Sequence, residues 1–414
     1  MINLSETVLT NGLRVVVASN HKAPVVTVGV AYKVGSKDEP ATHTGLAHLF
    51  EHLMFDNLVS ERGLRFDMYV TGAGGESNAY TNYDHTYYHI TLPSNAVETA
   101  LWLESTRMEG FTITDEALRT QIDVVSEEIL QVVYNRPYGT WDLLQNKTAF
   151  AEHSMYSWEI IGSHEHVRQT TMDDAREWYT SRYRPDNAVV VLSGDITADQ
   201  GFALAERYFG HITRSTPRAA PAVFSASNKR SGVLRDEQDV PFDAVFLGYH
   251  MDGFMNDRTL AADVLSSILS DGRSSRLYRA FQHDRQIASD VAAHADKREL
   301  ASLFTLYAIS AREDVRTGDL EEVFQQEIGS LLASGVTDAE VEKAKNVLQT
   351  RLAYHLQTCS GVADSVAQNA LFWNDAQRVN TVLNQVDAIS TEEVNEFARE
   401  VLGKDTVTVE IVAA

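Results

Sequence analysis

Residues 45–55 read GLAHLFEHLMF. Leu46, Leu49, Phe50, Leu53 and Met54 recur there at three- and four-residue intervals, which predicts a helix with Thr44 as its N-cap. The sequence before it has a different rhythm. Leu13 to Ala18 and Val25 to Val34 are rich in β-formers and flank the polar stretch Asn20 to Lys22, so two strands precede the helix. A Gly-rich turn, Gly72 to Gly75, follows it, and the run Glu76 to Leu92, dense in Thr, Tyr and His, predicts a strand ending at Pro93.

Val97 to Glu109 and Glu116 to Val133 carry helical apolar stripes. A strand, Asn187 to Ser193, and a helix, Ala198 to Tyr208, complete the first half. Thr213 to Asn228 has no period and is rich in Ser, Thr, Ala and Pro, which reads as a linker. Beyond it a similar order recurs: strand Ala244–Tyr249, helix Leu260–Leu269, strand Ser302–Ile309, helices Leu320–Ala333 and Asp338–Gln357, helix Thr391–Val401 and strand Val407–Val412. The expected architecture is α+β, with two related domains, each a mostly antiparallel β-sheet flanked by helices. Their expected bounds are 1–215 and 230–414, joined by a linker over 216–229.

Within the opening helix, His48 and His52 lie four residues apart and so share one face. Both imidazoles can then reach a single ion at about 2.0–2.1 Å, with Glu51 beside them near a metal-activated water. The order H-x-x-E-H is the inverted form of the zinc-protease motif. With 14 histidines in the chain, chance supplies roughly 0.03 such matches, so the motif points to zinc hydrolysis but needs company. His85 and His89 are also four apart, but in a strand-like run of period two they read as structural or surface residues. Trp141, Trp158 and Trp178 read as packing residues.

Composition narrows the classes. At 414 residues and 44% hydrophobic content, two or more packed domains are expected. One cysteine, Cys359, leaves no internal disulfide and no thiolate zinc cluster. The excess of 58 acidic over 35 basic residues, net −23, disfavours nucleic acid and anionic membrane as partners. No run of about 18 apolar residues marks a membrane span. The opening MINLSETVLTNGLRVVVASN has no basic segment followed by an apolar one, which reads as cytoplasmic, or periplasmic if a leader has been removed.

HLFEH, GGESNAYTNYDHTYYHITLP (74–93) and DVVSEEILQVVYNRPYG (123–139), with TVLTNGLRVVVAS (7–19) and GRSSRLY (272–278), resemble successive landmarks of the pitrilysin, or insulinase, family of zinc peptidases. The likeness is to its two-domain subunit branch and spans most of the chain. It implies one Zn2+ per chain and a third ligand at Glu128, with 75 residues between it and His52. Glu127 is the rival assignment. The resemblance also implies a supporting side chain at Gln121, where the family commonly carries a carboxylate, and a substrate-pairing edge strand at Asn78 and Ala79.

The family pattern breaks in the second half. Members that work alone carry an Arg and a Tyr seven residues apart; the matching positions here are Gln282 and Ser289. The resemblance then implies a peptidase acting on short or unfolded peptides in a closed chamber, with a related partner subunit supplying the Arg and Tyr that steady the oxyanion. Two other readings remain open: a non-catalytic core subunit of a larger complex, and a self-sufficient homodimeric peptidase.

Overall fold

The computed structural model describes residues 1–56, 65–213, 224–256 and 258–414. Eleven strands lie among them: β1 Asn3–Val8, β2 Arg14–Ser19, β3 Val25–Tyr32, β4 Glu76–Thr81, β5 Thr86–Pro93, β6 Ala188–Gly194, β7 Gly232–Gln238, β8 Ala244–Asp252, β9 Ala288–Asp296, β10 Ala301–Ser310 and β11 Val407–Ala413. The helices up to β7 are α1 Leu46–Leu53, α2 Phe66–Gly72, α3 Val97–Glu109, α4 Asp115–Ile129, α5 Trp141–Ala149, α6 His164–Gln169, α7 Met172–Arg182 and α8 Ala198–Phe209. Those after it are α9 Thr259–Ser270, α10 Thr317–Ser334, α11 Asp338–His355, α12 Cys359–Phe372, α13 Val382–Ala388 and α14 Thr391–Leu402. Among the described residues no helix is long and apolar enough to cross a membrane.

The chain divides into two compact units, and neither is one continuous stretch. The first takes Met1–Ile129, Ile160–Ala222 and Ala353–Val382; the second takes Leu130–Glu159, Val223–Leu352 and Leu383–Ala414. Of the expected linker, residues 216–223 lie outside the described residues.

Each unit holds one sheet, and the two sheets share a plan. The first runs β1-β2-β6-β3-β5-β4 and the second β7-β11-β8-β10-β9. In both, the first strand of the shared plan pairs in parallel with the last, β2 with β6 and β7 with β11. The remaining pairs are antiparallel. Without β1, the orders superpose strand for strand, the mark of a duplicated α+β domain.

The expected single strand Glu76–Leu92 is in fact a hairpin. Asn82 Oδ1 accepts from the N–H groups of Asp84 and His85 at 2.8 Å each, an Asx-type turn that reverses the chain inside a run of uniform β propensity. The reversal makes β4 the edge of its sheet. Helix α12, absent from the sequence reading, covers the face of the first sheet: Val362, Ala363, Val366, Ala367 and Ala370 pack against Val16, Ala31, Val189 and Val191.

In the second unit, α9 and α14 supply Val264, Leu265, Ile268, Val394 and Phe397 to a core shared with Val245, Leu247 and Phe304 of the sheet. The GRSSRLY segment has a structural task there. Arg276 donates to both oxygens of Glu340, at 2.6 and 2.8 Å, and to the Gly335 carbonyl at 2.9 Å.

Two stability predictions follow from paired charge. In α3, Arg107 donates to both oxygens of the fully buried Glu104, at 2.9 and 2.8 Å, and lies 4.0 Å over the Tyr88 ring. Glu104→Ala strands a buried cation, so urea unfolding should show a loss of about 3–5 kcal/mol, largely recovered in the double variant Glu104→Ala/Arg107→Met. The Arg276 contact holds the Glu340 carboxyl down to about 2 from its usual 4.5. A depressed carboxylate stabilises the fold fully above pH 4.5 and loses that contribution as pH falls through 2. Arg276→Ala should therefore destabilise at pH 7, and its difference from wild type should shrink as acid unfolding curves are taken below 4.5.

Candidate metal centre

Helix α1 is short, and its placement decides the chemistry. Gly45 opens it with φ +96°, and a Cβ there would meet the Ile161 carbonyl oxygen at 2.7 Å, so glycine is required. The Glu39 carboxylate accepts from Gly45 N–H at 2.9 Å and Ala47 N–H at 2.8 Å, closing the positive end of the helix. Thr44 is not the cap that the sequence predicts. Its hydroxyl lies 2.9 Å from His166 Nδ1 and accepts from Ser163 N–H, because a carboxylate reaching two amides outcompetes a hydroxyl one residue too early.

Leu49, Phe50 and Leu53 bury the apolar face of α1, which leaves His48, Glu51 and His52 on a half-buried face. The same division operates on α4, where Leu118, Ile122, Val125 and Ile129 are buried. Glu128 is half-buried, whereas Glu127 is exposed to solvent.

The two helices bring three potential ligand side chains together. Nε2 of His52 lies 3.5 Å, and Nε2 of His48 4.0 Å, from the Glu128 carboxylate oxygens. Among the described residues this is the one His/Cys/Asp/Glu group of metal-binding geometry, with all three donor atoms within 4.8 Å of one another. Donors in a tetrahedral shell with bonds of about 2.0–2.1 Å are roughly 3.3 Å apart, so small side-chain rotations would close the set on an ion. Two imidazoles and a carboxylate suit zinc, and the residues fit that group.

Burial, reinforced by the neighbouring His52, lowers the His48 pKa to about 4. The ring is neutral at pH 7, with a lone pair available for a metal. Among the described residues its Nδ1 has no hydrogen-bond partner, and the ring packs edge-on against His52 with centroids 4.8 Å apart. Burial also raises Glu51, an effect that hydrogen bonding to Thr81 and the charge of His52 oppose.

The other sequence-derived positions are placed as follows. Gln121 lies on α4 two turns before Glu128, and its amide donates to Asp56 Oδ2 rather than to Glu128. Asp56 lies in the turn past the end of α1, where its N–H donates to the Leu53 carbonyl at 2.9 Å. Asn78 and Ala79 lie on the edge strand β4 opposite His89 and Tyr88. Ala79 N–H donates to Asn78 Oδ1 at 2.9 Å, not to the ladder. In the second unit, Gln282 Nε2 donates to the Ser289 carbonyl at 2.7 Å, so these positions are adjacent, but neither side chain offers a guanidinium or a phenol.

Comparison with known proteins gives concordant results. The profile described as Insulinase (Peptidase family M16) matches residues 14–154, and that of the Peptidase M16 inactive domain matches 169–348. The zinc protease PqqE of Helicobacter pylori is 28% identical over 402 residues, covering 96% of this chain and 90% of its own. A probable mitochondrial-processing peptidase subunit beta of Schizosaccharomyces pombe is 25% identical, covering 99% and 91%. The crystal structure of a protease from Helicobacter pylori superposes with a TM-score of 0.91 at 27% identity, covering 99% of each chain.

The geometry separates Glu128 from its neighbour. Glu128→Ala should lower zinc retained after dialysis, read by atomic emission, by more than about tenfold, while Glu127→Ala keeps about one ion per chain. Equal loss in both variants would remove the assignment.

Proposed function

Because the chain belongs to the insulinase (M16) family and its relatives are zinc proteases, we propose that this metallopeptidase cleaves short or unfolded peptides at the His48–His52–Glu128 centre. The observation that carries this reading is the convergence of two imidazoles and a distant carboxylate within ligand range. Zinc bound there supplies Lewis acidity, which acidifies water and polarises carbonyl oxygens. Glu51, on the same face of α1, accepts the proton of the attacking water and returns it to the departing amide nitrogen as the C–N bond breaks.

The edge position of β4 supports a role for Asn78 and Ala79 in holding substrate. A peptide added as a further strand would exchange main-chain hydrogen bonds with β4, and Asn78 Oδ1 would release the Ala79 N–H it holds. Gln121, through its bond to Asp56, ties α4 to the segment that follows α1. Such main-chain recognition favours extended, unfolded chains, and the acidic balance favours basic ones.

Gln282 and Ser289 present an amide and a hydroxyl where an oxyanion-steadying Arg and Tyr are absent. This favours a two-subunit enzyme in which a related partner closes the chamber and contributes those groups. The scaffold reading draws on the second half's likeness to an M16 domain described as inactive, but scaffolding gives no reason to keep HxxEH and Glu128 converged.

Hydrolysis of a quenched, unstructured basic peptide by the zinc-loaded chain tests the proposal. Glu51→Gln should cut the rate by about 10²–10⁴ while zinc content stays the same, and chelation should abolish turnover until zinc is restored. The chain alone should be slow and should accelerate with a related subunit carrying the Arg and Tyr. Full activity of Glu51→Gln would sink the mechanism.

A further inference from the structure

The face of β4 turned away from Glu51 carries a polar cluster that hydrolysis does not use. Strand alternation puts Thr81 beside Glu51 and Tyr80 on the opposite face. Tyr80 O–H donates to Asp364 Oδ1 of α12 at 2.6 Å and accepts from Gln368 Nε2 at 3.2 Å. His85 Nε2 lies 3.0 Å from the same phenol, while its Nδ1 accepts from the Asn82 amide in the hairpin turn. Gln368 also donates to Asp364 Oδ1 at 3.0 Å, and His355 Nε2 is 3.5 Å from Oδ2.

An edge strand has a ladder on one side only. Here β4 is six residues long and paired to β5 alone, so little main-chain hydrogen bonding fixes its outer row of N–H and C=O groups. Side chains must supply the rest. Tyr80 is the neighbour of Ala79, and its phenol is tied across 284 residues of sequence to a helix packed on the sheet core. Hydrogen bonds to an ionised acceptor are the stronger kind.

We propose that Tyr80 and Asp364 are positioning residues for peptide binding: the carboxylate on α12 fixes the edge strand through the phenol, so that Asn78 and Ala79 present their main chain in the register a docking strand needs. This rests on the reading of β4 as the substrate strand. Gln368, His85 and His355 keep the Asp364–Tyr80 contact formed by occupying the remaining lone pairs.

The test uses the full chain with zinc bound, in the non-hydrolysing Glu51→Gln background, and a fluorescein-labelled unstructured basic peptide read by anisotropy. Tyr80→Phe and Asp364→Asn should each weaken binding about tenfold. The double variant should be no weaker than either single one, since both cut the same link. Zinc content should stay constant. Hydrogen exchange should rise in residues 76–81 and stay unchanged in β2, β3 and β6. Unchanged β4 exchange, unchanged affinity, or additive losses accompanied by zinc release or sheet-wide exchange would each overturn the inference. Absence of peptide binding by the Glu51→Gln parent itself is a separate result: it removes the substrate-strand reading, and the inference falls with it.

Discussion

Three lone-pair donors from two helices face one small volume, and the packing around α1 and α4 keeps them there. Imidazoles at 3.5 and 4.0 Å from a carboxylate can close on one ion with bonds near 2.0–2.1 Å only while α1 and α4 stay side by side. That placement is kept by packing and by caps. Leu49, Phe50 and Leu53 anchor α1 from below, Ile122, Val125 and Ile129 anchor α4, and Glu39 fixes the first turn of α1. The Tyr88 hydroxyl, paired with Tyr183 at 2.9 Å, stands under this layer, and the Glu104–Arg107 pair closes it with charge that has no access to water.

Much of this was legible where hydrophobic periodicity is strong. The α1 stripe, the β2 and β3 runs and the α4 face follow from apolar spacing, and HxxEH places two candidate ligands and the proposed base on one turn. Glu128 was legible only through the family resemblance, because no local pattern links residues so far apart. What escaped has physical reasons. The β4–β5 reversal hides in a run of Thr, Tyr and His, and one Asn side chain makes the turn. Helix α12, CSGVADSVAQNALF, shows no sharp polar–apolar contrast, since its buried face is built from Ala, Val and Gly that let it sit close on the sheet. Thr44 looked like a cap, and the real cap lay five residues upstream, where no capping rule based on neighbours would search. The regrouping of 130–159 and 353–382 into the opposite units is a long-range outcome that composition does not record.

The duplication supplies an internal control for the candidate site. In each unit a helix follows the third strand of the shared order: α1 after β3, and α9 after β8. Helix α9, TLAADVLSSILS, has the same structural duty and carries no His or Glu; Val264, Leu265, Ile268 and Leu269 are all buried. The fold therefore does not require the ligands. Helix α9 covers its sheet with Val, Leu, Ile and Ala, and its one carboxylate, Asp263, is paired with Lys297 at 2.8 Å, whereas α1 places three titratable side chains on a half-buried face, where burial shifts His48 and Glu51 away from their ordinary ionisation. Holding such groups out of water opposes folding. A helix that accepts this cost in one repeat and avoids it in the other is specified by what its exposed face does, which is why function here is argued from the residues of one turn and not from the architecture that both repeats share.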